Sequence, residues 1–262
     1  MHFKYYQMPV SQVIDSAARI IEEVRKLHDI YHAPVWLRGQ EDYSWSLLPT
    51  IGRHNDFLGL KLNFNEVQER YLLHQFRRYA YSQWQRKIDD WEGLFLGRHH
   101  GLPVRIMDWT ANPLVALYFS SFYTKDVCDA AVWAFVRKSE SDYEPGDSID
   151  VFTHSDPLQI KGVRIIYPFY ISQRMIGQKG AFTIHETPRV PIESLTTAEF
   201  EQKDLDFVAL YKWLVPAGAR AALIDELEHM DVNSRRLFPD LDGLAKGLAH
   251  AEMLKIIGNK YT

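Results

Sequence analysis

The eight residues "AAVWAFVR" at positions 130–137 constrain the fold more than any other segment. The run is short, continuous, apolar and rich in β-branched and aromatic side chains, and it is too brief for a buried helix. It reads as a buried strand, so the chain must build a sheet around it. "APVWLRGQ", "PVRIMDW", "VRIIYPFYI", "GAFTIH" and "DFVALYKWLVP" read as further strands. Helical spacing runs from Ser11 to Tyr31, with Ser11 as the N-cap, and again from Asn65 to Lys87. "DDWEGLFLGRHHG" is a third helix, capped by Asp89 or Asp90 and stopped at Gly101. "ANPLVALYFSSFYT" is a fourth, with Pro113 near its first position, where a missing N–H costs nothing.

Helices therefore fall early and late, and strands cluster in the middle. This order predicts an α+β fold, with a central mixed or antiparallel sheet flanked by helices. One domain is expected over residues 1–262. It would carry an N-terminal helical segment to about residue 32 and a C-terminal helical extension from about residue 216. The polar stretch Ser139–Leu158 contains Pro145, Gly146 and Pro157 and is expected to be an exposed insertion or lid.

The net charge of −4 and pI near 6.3 argue against a nonspecific nucleic-acid binder. Cys128 is the single cysteine, which fits a reducing, cytoplasmic setting. The first ten residues contain no long apolar run, and no window suits a membrane span, so no membrane partner is expected. The motifs GxSxG, GxxxxGK[ST] and GxGxxG are absent. So are HExxH and Cys/His ligand spacings, and no metal is expected. The aromatic fraction of 13% serves either a thick core or a stacking surface for a flat ligand.

Three constellations carry chemistry. Arg38, Gly39 and Gln40 end a strand candidate. Arg38 offers a planar fork to a phosphate or carboxylate, and Gly39 leaves room for a ligand against the main chain. In the alternative reading, Arg38 pairs with a buried acid such as Asp108 and Gly39 simply turns. "HHGLPVRIMDWTANPLVALYFS" holds the second group. Here His99 and His100 complement a helix dipole, Asp108 or Thr110 caps the following helix, and Trp109 fills core or faces a site. Arg105 and Asp108, with His100 behind them, are expected to brace this loop. The third group is Gln173, Arg174, Gln178 and Gly180 in "QRMIGQKGAF", where a glutamine can orient a polar substrate or sit in a hairpin.

Four blocks together, "WLRGQ…SWSLLPTIGR", "HHGLPVRIMDWTANPLVALYFS", "GQKGAF" and "LFPDLDGLAKGL", resemble the FRG domain, from Arg38 to about Leu248. Leu37 stands where that family often has an aromatic residue. The resemblance implies an effector in bacterial or phage conflict and defence, a toxin with an antitoxin or other regulator. Its more distant similarity to ADP-ribosyltransferase-like folds implies NAD as cofactor, or another small nucleotide, and a protein target. In that scheme Arg38, Trp109–Thr110 and Gln178 take the three strand positions that hold NAD, with Glu186 as a fallback acid. Gly39 would leave room for the nicotinamide, Gln40 would also contact the cofactor, Trp109 or Tyr118 would stack on a ring, and Gln178 or Glu186 would hold the ribose. A glutamine at 178 replaces the glutamate of active transferases. The alternatives are a non-enzymatic nucleotide- or partner-binding module and, last, a nucleic-acid enzyme.

Overall fold

The computed structural model describes residues 12–53, 55–57, 60–62, 64–122, 128–137, 156–168, 180–195 and 207–238, with isolated positions at 151, 241, 244, 245, 247–249 and 252. The expected lid over 139–158 lies mostly outside these residues, the fourth FRG-like block is described only in part, and Gln173, Arg174 and Gln178 lie outside.

The first helix, α1, spans Ala17–Tyr31. Its cap is Ser16, whose side chain accepts from Arg19 N, rather than the expected Ser11. The apolar stripe Ala17, Ile20, Val24 and Leu27 is buried, which is what the helical spacing requires. Strand β1 (Val35–Gln40) follows, then a short hairpin of β2 (Asn55–Phe57) and β3 (Leu60–Leu62). Helix α2 (Glu66–Trp84) and helix α3 (Asp90–His99) each begin with a capping box, Asn65 with Gln68 and Asp89 with Glu92. Gly101, at φ +86°, ends α3 in a backbone conformation that favours glycine.

Strand β4 (Ile106–Thr110) leads directly into helix α4 (Pro113–Ser121). The cap of α4 is Asn112, whose side chain accepts from Leu114 N. This corrects the expectation that Asp108 or Thr110 caps the helix: the hydroxyl of Thr110 accepts from Asn112 N and shapes the turn one step earlier. Strands β5 (Ala130–Arg137), β6 (Val163–Ile166), β7 (Gly180–His185) and β8 (Phe207–Val215) complete the sheet, and helices α5 (Arg220–His229) and α6 (Ser234–Leu237) follow.

The six-stranded sheet has the order β6-β7-β4-β1-β5-β8, with every neighbouring pair antiparallel. The expected α+β class is realised, with the antiparallel option taken. The run "AAVWAFVR" is β5, buried along nearly its whole length between β1 and β8.

The sheet is nearly two sheets. Strand β4 pairs with β7 over five positions, and β1 pairs with β5 over six. Strands β1 and β4 share one register pair, Leu37–Thr110. Beyond it the ladder would set Gly39 opposite Asp108, but the strands part. One three-stranded half packs under α1, α4 and α5 through Val35, Leu37, Val132, Ala134 and Trp213. The other packs through Ile106, Phe182 and Ile184 against Trp91, Leu94 and Phe95 of α3. On the reverse face, Trp109, Trp133 and Phe135 form a third apolar cluster covered by Leu47 and Ile192.

Two contacts hold this arrangement. Arg105, at the entry to β4, pairs with Glu69 of α2 at 2.8 Å, the side chains being 3% and 1% exposed. Glu69 also accepts from the main-chain N of Arg105 at 2.8 Å, so the buried charges are hydrogen-bonded as well as paired. Arg105 thus ties the entry of β4 to α2 through Glu69. The second contact is at Gly39. A Cβ there would lie 2.1 Å from the carbonyl oxygen of Ala116 and 2.5 Å from Ser120 N. The α4 backbone, which lies on it, requires a glycine here, and Gly39 also lines the cleft described below.

Two outcomes follow for urea unfolding. Gly39→Ala must push α4 off the sheet and lowers the unfolding free energy by about 2–3 kcal/mol. Glu69→Leu leaves Arg105 buried without its partner and costs about 3–5 kcal/mol.

Candidate functional site

Where β1 and β4 part, a cleft of about 290 Å³ opens between α3 and α4. Its volume is at the lower end of small-molecule sites. Asp108 and Thr110 project from β4, and alternation places Met107 and Trp109 on the opposite face. On α3, Phe95, Arg98 and His99 share one side at helical spacing, and on α4 Val115 and Phe119 do the same. Glu41, Trp45 and Arg53, from the segment after β1, complete the wall, and Phe182 enters from β7.

Asp108 is clasped by two guanidinium groups. Its Oδ2 accepts from Arg38 Nη1 at 2.7 Å, and its Oδ1 accepts from Arg98 Nε at 2.8 Å and Nη2 at 2.5 Å. Arg38 Nη1 also donates to the main-chain carbonyl of Asp108 at 2.8 Å. The arginine therefore satisfies a β4 acceptor at the point where the β1–β4 ladder has ended. Of the two readings of Arg38 open from sequence, pairing with Asp108 is realised.

The carboxylate is 42% accessible because it lines an open hollow, although protein encloses it on its other sides. That enclosure penalises its charge. Arg38 and then Arg98 outweigh the penalty and hold the carboxyl well below the usual carboxylate range. Arg53 feels the same cluster from the other side. Burial first, and then the charges of Arg38 and Arg98, push it down to about 10, with Asp108 opposing, so it stays cationic at neutral pH. Its Nε donates to the carbonyl of Leu48 at 3.0 Å.

Arg38 keeps part of its capacity. Its side chain is 10% exposed, its Nε is buried without a hydrogen-bond partner, and no bond to its Nη2 is formed among the described residues. The Nε–Nη2 edge is the side of a guanidinium that grips a phosphate or carboxylate with two parallel bonds. Glu41 is the other uncommitted charge. Its carboxylate makes no hydrogen bond or ion pair among the described residues. Burial raises its pKa, against the pull of Arg220.

The remaining expected site residues divide. Thr110 lines the cleft. Gln40 borders it, but its amide is committed: Oε1 accepts from Trp133 Nε1 at 2.7 Å and Nε2 donates to the carbonyl of Ser46 at 3.2 Å. Trp109 is among the residues that line the cleft, but it is 3% exposed, and its indole meets Phe135 edge-on and donates to Thr183 Oγ1 at 3.0 Å within the core. Tyr118 is buried under α6 with its hydroxyl 2.7 Å from Ser234 Oγ, on the side of α4 turned from the cleft. Phe119, one residue on, holds the position expected of Tyr118. Glu186 lies past the end of β7, bound to Lys161 and Gly162 N at 2.9 Å, and is not part of the cleft. His100 is exposed beside Phe76, and its neighbour His99 lines the wall.

Behind the cleft, Thr183 Oγ1 accepts from Trp109 and lies 2.9 Å from His185 Nε2. Burial, followed by the charges of Arg38 and Arg105, pushes His185 down to about 3, and its ring is neutral at physiological pH. Among the described residues no group of three or more His, Cys, Asp or Glu side chains is placed to hold a metal ion. No helix among them is long and apolar enough to cross a membrane.

The acid limb of stability tests the clasp. The folded-state pKa of Asp108 lies below its unfolded value of about 3.9. Its contribution is therefore complete above about pH 5 and is lost as the pH falls toward the folded value. Asp108→Asn, read by urea midpoints from pH 7 to pH 2, is less stable than the parent at pH 7 and loses less on acidification. Equal pH slopes for the two proteins would contradict the assignment.

No curated protein and no solved structure matches the chain. Residues 33–127 match the FRG domain. The match ends before "GQKGAF" and "LFPDLDGLAKGL", so the last two blocks of the sequence resemblance fall outside it. The matched span runs from the start of β1 through α4 and contains every cleft residue except Phe182. The FRG-domain match thus covers β1 through α4, and with them most of the cleft.

Proposed function

We propose that the cleft binds a nucleotide, with NAD as the leading candidate. One observation carries the reading: Arg38, fixed to Asp108 through Nη1, lines the cleft together with two further arginines, Arg53 and Arg98. Three guanidinium groups against two carboxylates favour an anion. Trp45, Phe95, Phe119 and Phe182 supply the aromatic surface that a base or nicotinamide ring prefers. The residues therefore fit a phosphorylated aromatic ligand. Arg38, Arg53 and Arg98 would supply the charge that holds a phosphate, and Trp45 and Phe119 would flank a ring.

NAD, when bound, offers a glycosidic bond whose cleavage releases nicotinamide. The chain's part is to bind, orient and desolvate. Asp108 is already spent on two arginines and is a positioning residue. Transfer of ADP-ribose and a role as an effector in conflict between bacteria and phage extend this proposal, supported by the resemblance of the sequence blocks.

Calorimetric titration of the folded protein with NAD and with AMP is the test. Binding of either is expected, weakening with added salt, and Arg53→Gln is expected to cost about tenfold or more in affinity. Absence of binding by both nucleotides overturns the reading. A parallel assay for nicotinamide release separates an enzyme from a binding module.

A further inference from the structure

Two carboxylates line the cleft, and their situations differ. Asp108 is neutralised by Arg38 and Arg98. Glu41 has no bonded partner among the described residues. A bare carboxylate beside an anion site lowers affinity for the anion, and it accepts hydrogen bonds without donating any. It is compatible with the arginines only if the ligand brings donors to it. Glu41 is also held in place. It lies one residue past β1, and its main-chain carbonyl accepts from Arg220 Nη1 at 3.0 Å and from Cys128 Sγ at 3.6 Å. Arg220 spans from Glu41 to the carbonyl of Cys128 and is itself buried. The main chain is anchored on that side while the side chain lines the cleft.

We propose that Glu41 is the specificity residue of the cleft and reads the ligand's sugar, its two oxygens accepting from a pair of neighbouring hydroxyl groups. The inference rests on the nucleotide reading above and narrows it to ligands that carry both a phosphate and a vicinal diol. No bond is made or broken in this recognition.

The test compares AMP with 2′,3′-dideoxy-AMP, which keeps the phosphate and base and lacks both hydroxyls. The parent protein is expected to prefer AMP by about tenfold or more, as hydrogen bonds to a charged acceptor require. Glu41→Gln is expected to reduce that preference and Glu41→Ala to abolish it. Both variants should bind the dideoxy compound at least as well as the parent does, which also shows that they are folded. Retention of the full preference in Glu41→Ala overturns the proposal, as does a parent protein that does not distinguish the two compounds. IMP, which lacks the amino group of AMP, is the third probe. If the parent disfavours IMP and Glu41→Ala removes that difference instead, Glu41 reads the base and the sugar assignment is wrong. If the parent binds none of the three, the nucleotide reading itself fails.

Discussion

One carboxylate gripped by two guanidinium groups holds the middle of this protein together. The sheet is continuous in name, but a single register pair joins its halves. Ladder hydrogen bonds cannot supply cohesion where the strands have parted, and an unpaired main-chain carbonyl there would be costly. Arg38 reaches from β1 to both the carbonyl and the carboxylate of Asp108, and Arg98 reaches the same carboxylate from α3. The clasp replaces missing backbone pairing and ties in the helix that walls one side of the gap. Because the gap is spanned and not filled, it remains a cleft.

The density of polar residues in "HHGLPVRIMDWTANPLVALYFS" is explained by this geometry. Strand alternation sends Asp108 and Thr110 to the cleft and Trp109 to the reverse core. Arg105 turns back to Glu69 under α2, and Trp109 enters a buried chain with Thr183 and His185. Each polar group of β4 is either bonded in a place water does not reach or set at the mouth of the hollow. The following helix, α4, presses its backbone on Gly39 and thereby sets the width of the gap.

Much of the fold was legible in the residues. The short apolar runs became strands and the amphipathic segments became helices, because each pattern has one period that buries it. Pro113 and Gly101 marked a helix start and stop through local backbone chemistry alone. The site was harder to read. Grouping Trp109 with Asp108 ignored the two-residue alternation that separates their side chains. Placing Tyr118 at the site needed the facing of α4, which depends on its contact with Gly39, 79 residues earlier in the chain. Arg98 and His99 could have been found from their spacing with Phe95 on one helical face. Arg53 and Glu41 belong to irregular segments with no period to follow, and only the folded chain brings them to the cleft.

Arg38 faces two ways at once. One nitrogen is a permanent tie across the split, while the opposite edge of the same planar group is unspent. Such divided service needs a rigid, flat cation with donors on separate sides. Lysine at this position would conserve charge but replace the planar set of donors with a single compact ammonium. The tie across the split thus draws on the shape of the arginine as much as on its sign.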